Sequence, residues 1–153
     1  MNAVMWKHTE NVDGIGEKIK KVEEIFNITF PEDFIDVVRN NNEGSPRPNC
    51  FDINGSEETF NNLITFDLNS RYSILNVYNG IKIRLVDRIF PFARDPFGNY
   101  LCFDYRNGDN PTIVFWLHET ALIDKNAAIK KVSDTFTELL NSLHEYEEEE
   151  DYK

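Results

Sequence analysis

The chain has 153 residues, of which 41% are hydrophobic and 13% aromatic, and its formal net charge is −11 at pH 7. This length and composition indicate one globular domain and exclude an intrinsically disordered protein. No apolar run reaches the length of a membrane span, and the first residues lack the pattern of a signal peptide. We therefore expect a cytoplasmic protein without membrane contact. The acidic charge repels a phosphate backbone, which argues against direct nucleic-acid binding.

Two helices are predicted near the N-terminus. Apolar residues recur at helical spacing within residues 17–26. The second helix starts at Pro31, because the first turn of a helix accepts proline without losing a hydrogen bond. Glu32 and Asp33 complement the positive end of its dipole. A run of asparagines followed by Gly44 ends it.

The next forty residues give weaker signals. Residues 45–49 read as a loop, and short strands are predicted at residues 51–53 and 63–66. A helix is predicted from about residue 67 or 70 to residue 79, with Gly80 as its end. Residues 81–86 alternate between apolar and other residues, and the pattern leaves a strand and a strand-like extension open.

The strongest β pattern lies in residues 89–118. Strands at residues 89–92, 100–105 and 112–118 are joined by turns rich in Gly, Asn, Asp and Pro, which is typical of an antiparallel meander. The last of these strands is apolar on both faces, so it belongs in the interior of the sheet. Residues 136–143 then repeat at helical spacing, with Ser133, Asp134 or Thr135 as the N-cap, and Thr135 with Glu138 fits a capping box.

This order predicts an α+β fold. An antiparallel-rich sheet with a central meander is packed by the N-terminal helices and a C-terminal helix. We expect one domain over residues 1–144, followed by a disordered acidic tail over residues 145–153. The tail holds six acids and one lysine, and such a block of like charges favours a solvated segment.

The segment Asp95-Pro96-Phe97-Gly98-Asn99 invites a comparison with calcium loops, because Asp95, Asn99 and Asp104 lie close together in sequence. An EF-hand starting at Asp95 needs Asp or Asn at its third position and Glu at its twelfth. Those positions hold Phe97 and Arg106. We therefore interpret the segment as a hairpin turn whose acids form part of a binding face.

Motifs for catalysis and for other metals are also missing from the sequence. His118-Glu119 begins like a zinc protease motif, but Leu122 stands where the second histidine is required. Cys50 and Cys102 alone cannot form a four-ligand zinc site, and Cys102 fits a small buried side chain better than a nucleophile. We expect no enzymatic activity, catalytic residue, cofactor or metal. A small enzyme using Cys102 or a carboxylate pair is the alternative.

Several segments occur together in an order that carries a family resemblance: Phe30-Pro31-Glu32-Asp33-Phe34, Asn42-Glu43-Gly44, residues 89–95, residues 98–104, residues 111–119 and residues 133–140. This ordered set resembles the SUKH superfamily, named partly for fungal cell-wall synthesis regulators and including many bacterial immunity proteins. The resemblance spans residues 17–143. It implies a non-enzymatic α+β fold in which Pro31, Gly44, Asp104 and Trp116 are mainly fold positions.

The resemblance implies an immunity protein, or antitoxin, that neutralises a cognate toxin domain, often a nuclease. Because a nuclease surface is basic, an acidic inhibitor can cover it. The candidate partner-binding residues, chosen for their places in loops and the hairpin, are Glu57, Glu58, Asp95, Tyr100, Asp104 and Asp109. The alternative is a non-catalytic regulatory or scaffold interaction module of the cell-wall-regulator type. The sequence does not decide whether the protein forms a homodimer.

Overall fold

A computed structural model describes residues 4–146, which contain five α-helices and nine β-strands. The helices are α1 (Ile15–Phe26), α2 (Glu32–Asn41), α3 (Ile74–Ile81), α4 (His118–Ala121) and α5 (Phe136–Ser142). The strands are β1 (Met5–Lys7), β2 (Ser45–Arg47), β3 (Cys50–Ile53), β4 (Ser56–Thr59), β5 (Asn62–Leu63), β6 (Ile89–Arg94), β7 (Tyr100–Asp104), β8 (Thr112–Trp116) and β9 (Ile129–Ser133). The predicted tail lies outside the described residues from residue 147 onward.

The central sheet has five antiparallel strands in the order β5-β6-β7-β8-β9. This confirms the predicted α+β class and the central meander. Strand β8 lies between β7 and β9, and both of its faces are apolar because each packs in a core cluster, Ile113 and Phe115 in one and Val114 and Trp116 in the other. Strand β9 was not predicted, because its sequence, Ile-Lys-Lys-Val-Ser, lacks a clear apolar face. It borders the sheet, where lysines protect an edge against pairing with other chains.

Apolar side chains cover both faces of the central sheet. On one face, Phe34 of α2 is fully buried and its ring packs against five other aromatic rings, those of Phe30, Phe66, Phe92, Phe103 and Phe136. A second, smaller cluster includes Cys102, Val114 and Trp116. Cys102 is fully buried, as its expected packing role requires.

The region that gave weak sequence signals differs most from the prediction. The sequence predicts a loop at residues 45–47, but these residues form β2, which pairs with β1. Helix α3 begins later than predicted, because the Ser73 side chain accepts a hydrogen bond from the Asn76 N–H at 3.2 Å and caps it there. Gly80 lies inside this helix instead of ending it. Residues 82–84 continue as a 3-10 turn, so the strand-like interpretation of residues 81–86 is wrong.

Strands β3 and β4 form a separate two-stranded hairpin. The turn is Asn54-Gly55, and both residues have positive φ, at 50° and 83°. Asparagine and glycine tolerate this conformation, so the dipeptide closes a tight hairpin. Strand β4 was missed because Ser-Glu-Glu-Thr contains no apolar residue. In the part of the chain that is described, no helix has the length and apolar character needed to cross a membrane.

Candidate functional site

The β3–β4 hairpin brings acidic side chains together. Asp52 pairs directly with Glu57 across the two strands, so both carboxylates extend from the same face. Glu58 pairs with Phe51 on the opposite face. Two predicted site residues, Glu57 and Glu58, therefore share one strand but extend from different faces of it.

The C-terminal segment crosses this hairpin at Cys50. The backbone N–H of Cys50 donates to the His144 carbonyl at 2.9 Å, and the His144 N–H donates to the Cys50 carbonyl at 2.9 Å. These two bonds place the imidazole beside Asp52 and Glu57. Its Nε2 lies 3.1 Å from Asp52 Oδ2, and its Nδ1 lies 3.6 Å from Glu57 Oε2.

The surroundings favour a positive charge on the His144 ring. The Glu145 carbonyl, 2.7 Å from Nδ1, raises the pKa of His144 above its ordinary value, and the Asp52 and Glu57 carboxylates add to this effect. The same acids influence Cys50. Burial raises the pKa of its thiol, and the negative charges of Glu57, Glu145 and Asp52 raise it further.

We call Asp52, Glu57 and Glu145 the acidic patch. On the other face of the hairpin, where Glu58 lies, there is a depression of about 260 Å³. Its lining combines apolar groups with one acid and one base, namely Ile53, Asn54, Ser56, Glu58, Phe115, Leu117 and Lys130. An apolar floor with a carboxylate at its rim can accept the stem and charged head of a basic side chain.

Asp95 shapes the turn between β6 and β7. Its Oδ1 accepts hydrogen bonds from the N–H groups of Phe97 and Asn99, both at 2.8 Å, and its Oδ2 accepts one from Asn99 Nδ2 at 2.9 Å. Only 5% of the residue is exposed. Asn99 in turn accepts a hydrogen bond from the His118 N–H at 2.9 Å, which joins the turn to α4. The carboxylate is thus used within the fold.

Asp104 has a similar internal role at the other end of β7. It forms an ion pair with Arg106 at 2.8 Å and accepts the Arg106 backbone N–H at 2.9 Å. Burial raises the pKa of Asp104, but the hydrogen bonds from Arg106 outweigh burial and hold this pKa below its ordinary value. The predicted role of Asp104 as a fold position agrees with these contacts.

The two remaining predicted residues lie at opposite ends of β7. Tyr100 is half-buried and stacks on Trp116 with ring centroids 6.1 Å apart. Burial raises the pKa of Tyr100. Asp109 is exposed in the β7–β8 turn and lines a cleft of about 510 Å³ together with Glu23 and Glu24.

The six predicted residues therefore do not form one continuous site. The ends of β7 alone are separated by about 14 Å, because a strand rises about 3.4 Å per residue. Of the six, Glu57 is the residue that the structure places next to further acids, Asp52 and Glu145. The sequence analysis missed Asp52, His144 and Glu145. The Asn-Gly turn could have predicted the pairing of Asp52 with Glu57, whereas no local signal links His144 to a strand 92 residues earlier.

The described residues thus define an α+β domain with an antiparallel sheet and an acid-rich hairpin on its surface. A sequence profile of the SUKH_6 family, described as SMI1-KNR4 cell-wall, matches residues 16–140. The chain belongs to this family, which confirms the predicted SUKH superfamily membership. A comparison with curated proteins gave no match.

Proposed function

We propose that this chain is an immunity protein that binds a basic protein toxin domain, a nuclease by preference, and neutralises it without catalysis. The observation that carries the proposal is the acidic patch on the β3–β4 hairpin. Family membership supports a protein-interaction module of the immunity or cell-wall-regulator type. The net charge of −11 supports a basic partner.

The acidic patch and the depression have complementary parts in this proposal. Glu58 lies at the rim of the depression, where it meets the charged head of an arginine or lysine from the toxin. The apolar floor, which includes Ile53 and Phe115, packs against the stem of that side chain. Buried anchors of this kind supply most of the binding energy in protein interfaces. An interface of about 800 Å² on each partner is expected for a stable complex.

The charge of the hairpin explains how inhibition works. A nuclease surface attracts phosphate groups, so the same positive field attracts the carboxylates of Asp52, Glu57 and Glu58. The sequence after His144 adds further acids, with Glu145 and the run of residues 147–151. A bound acidic domain excludes the nucleic acid both by its volume and by its charge.

The first experiment is an affinity capture with the full chain from its native host, at low and at moderate salt, with mass spectrometry of the bound proteins. We expect a basic protein in about equal amount that is lost as salt rises, because salt screens the attraction between exposed charges beyond a Debye length of about 10 Å at 0.1 M ionic strength. Association rates are then measured for Glu58→Lys and for a matched control, Glu17→Lys. Glu17 is an exposed acid of α1 outside the acidic patch.

Charge reversal at Glu58 weakens the electrostatic attraction that speeds association with a basic partner. We expect Glu58→Lys to slow association roughly tenfold at low salt and less at high salt. Glu17→Lys keeps most of the wild-type rate. Equal rates for the two variants would remove Glu58 from the interface.

A regulatory or scaffold module is the second candidate, because the description of the matching family refers to the cell wall. Such a module binds cellular regulators and has no toxin to neutralise. Recovery of several regulators, none of which is toxic when produced alone, would favour this candidate over immunity.

A further inference from the structure

The pairing of Asp52 with Glu57 in the β3–β4 hairpin places two carboxylates directly opposite each other. Like charges at directly opposed positions of an antiparallel pair destabilise it. Here Glu145 adds a third negative charge to the same neighbourhood, as its effect on the Cys50 thiol shows. The surface between the two carboxylates is therefore a place where a cation is stabilised.

His144 completes a set of metal-binding side chains at this place. One nitrogen of its ring and one oxygen from each of Asp52 and Glu57 lie within 4.8 Å of one another. Asp52 Oδ2 lies 3.1 Å from the Nε2 atom of the ring, whereas Glu57 Oε2 lies 3.6 Å from its Nδ1 atom, which also contacts the Glu145 carbonyl at 2.7 Å. Ligand atoms around a tetrahedral zinc ion, with bonds of about 2.1 Å, are about 3.4 Å apart. Ligand atoms that now lie within 4.8 Å of one another must therefore approach to about 3.4 Å, which rotation of the Asp52 and Glu57 side chains can supply.

The three side chains stand on a firm backbone. Asp52 and Glu57 belong to paired strands, and the two hydrogen bonds between Cys50 and His144 hold the C-terminal segment against β3. The Asp52 side chain is 63% exposed, whereas those of His144 and Glu57 are 30% and 24% exposed. A hydrated ion can therefore enter from solvent, and water can complete its coordination.

We propose that Asp52, Glu57 and His144 bind one divalent transition-metal ion, and that the donor set favours Zn²⁺. One imidazole nitrogen with two carboxylate oxygens suits zinc, whereas Mg²⁺ prefers oxygen ligands alone. A divalent ion balances both carboxylates with the ring neutral, and it ties the C-terminal segment to the hairpin. This proposal departs from the expectation, based on sequence alone, that the protein binds no metal. It goes beyond the proposed function and does not depend on it.

The test is isothermal titration calorimetry of the EDTA-treated, dialysed full chain with Zn²⁺ at about pH 8, chosen well above the ordinary histidine pKa because that of His144 is raised. We expect one Zn²⁺ per chain, no comparable binding of Mg²⁺, and a higher melting temperature with Zn²⁺ because the ion binds the folded state. Asp52→Asn and His144→Gln should each weaken binding by more than the roughly 10- to 100-fold cost of losing an outer-shell partner.

His8→Asn is the matched control, since His8 is an exposed histidine outside the cluster and asparagine tolerates its positive φ of 59°. It should bind Zn²⁺ like the wild type. If His144→Gln fails to fold, Asp52→Asn decides, because it removes a ligand charge from an exposed side chain. Absence of Zn²⁺ binding by the wild type overturns the proposal. An unchanged Zn²⁺ affinity in Asp52→Asn also overturns it. Equal binding of Mg²⁺ overturns it as well, because it would indicate unspecific attraction of cations to the acids.

Discussion

Removal of the Asp95 side chain tests whether the acids of the β6–β7 turn serve the fold. Asp95→Ala deprives the N–H groups of Phe97 and Asn99, and the Asn99 amide, of their acceptor. Hydrogen bonds to a charged group contribute about 1.5–3 kcal/mol each. Water can reach part of this turn, so we take the lower value for the two backbone bonds and expect a loss of about 3 kcal/mol.

Urea denaturation at neutral pH measures this loss. With a slope of about 2 kcal/mol per molar urea, a loss of about 3 kcal/mol lowers the midpoint by about 1.5 M. Asp109→Ala, which removes an exposed acid from the next turn, is the control and should shift the midpoint little. Equal midpoints for wild type and Asp95→Ala would refute the assignment of Asp95 to the fold.

Two further predictions concern other buried groups. The pKa of Asp104 is lowered in the folded protein, so its pairing with Arg106 stabilises the fold at pH values above the pKa of an unfolded aspartate, about 3.9. This contribution disappears as the pH falls through the lower pKa of the folded state. The difference in urea midpoint between wild type and Arg106→Leu should therefore be largest near neutral pH and shrink below about pH 4; a constant difference would contradict this. Burial raises the pKa of the Cys102 thiol well above its ordinary value, so in Cys50→Ser a thiol reagent should label Cys102 slowly until urea is added. Rapid labelling of the folded protein would contradict the buried position and favour the enzyme alternative.

The sequence predicted best those elements whose side-chain pattern is set by burial. Strands β7 and β8 were predicted because their apolar runs are bounded by turn residues, and α5 because Thr135 caps a regular apolar stripe. Strands β4 and β9 were missed because they carry mostly polar side chains, and their pairing depends on neighbours distant in sequence. The start of α3 was placed too early because Asp67 and Ser70 are also good caps, and tertiary packing selects Ser73.

The candidate site was harder still to predict from the sequence, because the roles of its residues depend on contacts that form only in the fold. Asp95 and Asp104 look like available acids in the sequence, yet both are used by hydrogen bonds within their own turns. Conversely, Asp52 gains its place only when the hairpin pairs it with Glu57. His144 joins them through two backbone bonds to β3 that no local pattern encodes.

The most direct test of the central proposal is a titration of the captured basic protein's toxic activity with the purified full chain. Activity is measured in vitro on the substrate that the partner's sequence indicates, with nucleic acid tried first. We predict that the activity disappears at about one equivalent of this protein, and that Glu58→Lys requires an excess at low salt. Full activity in the presence of a large excess of the wild-type chain would contradict its role as an immunity protein.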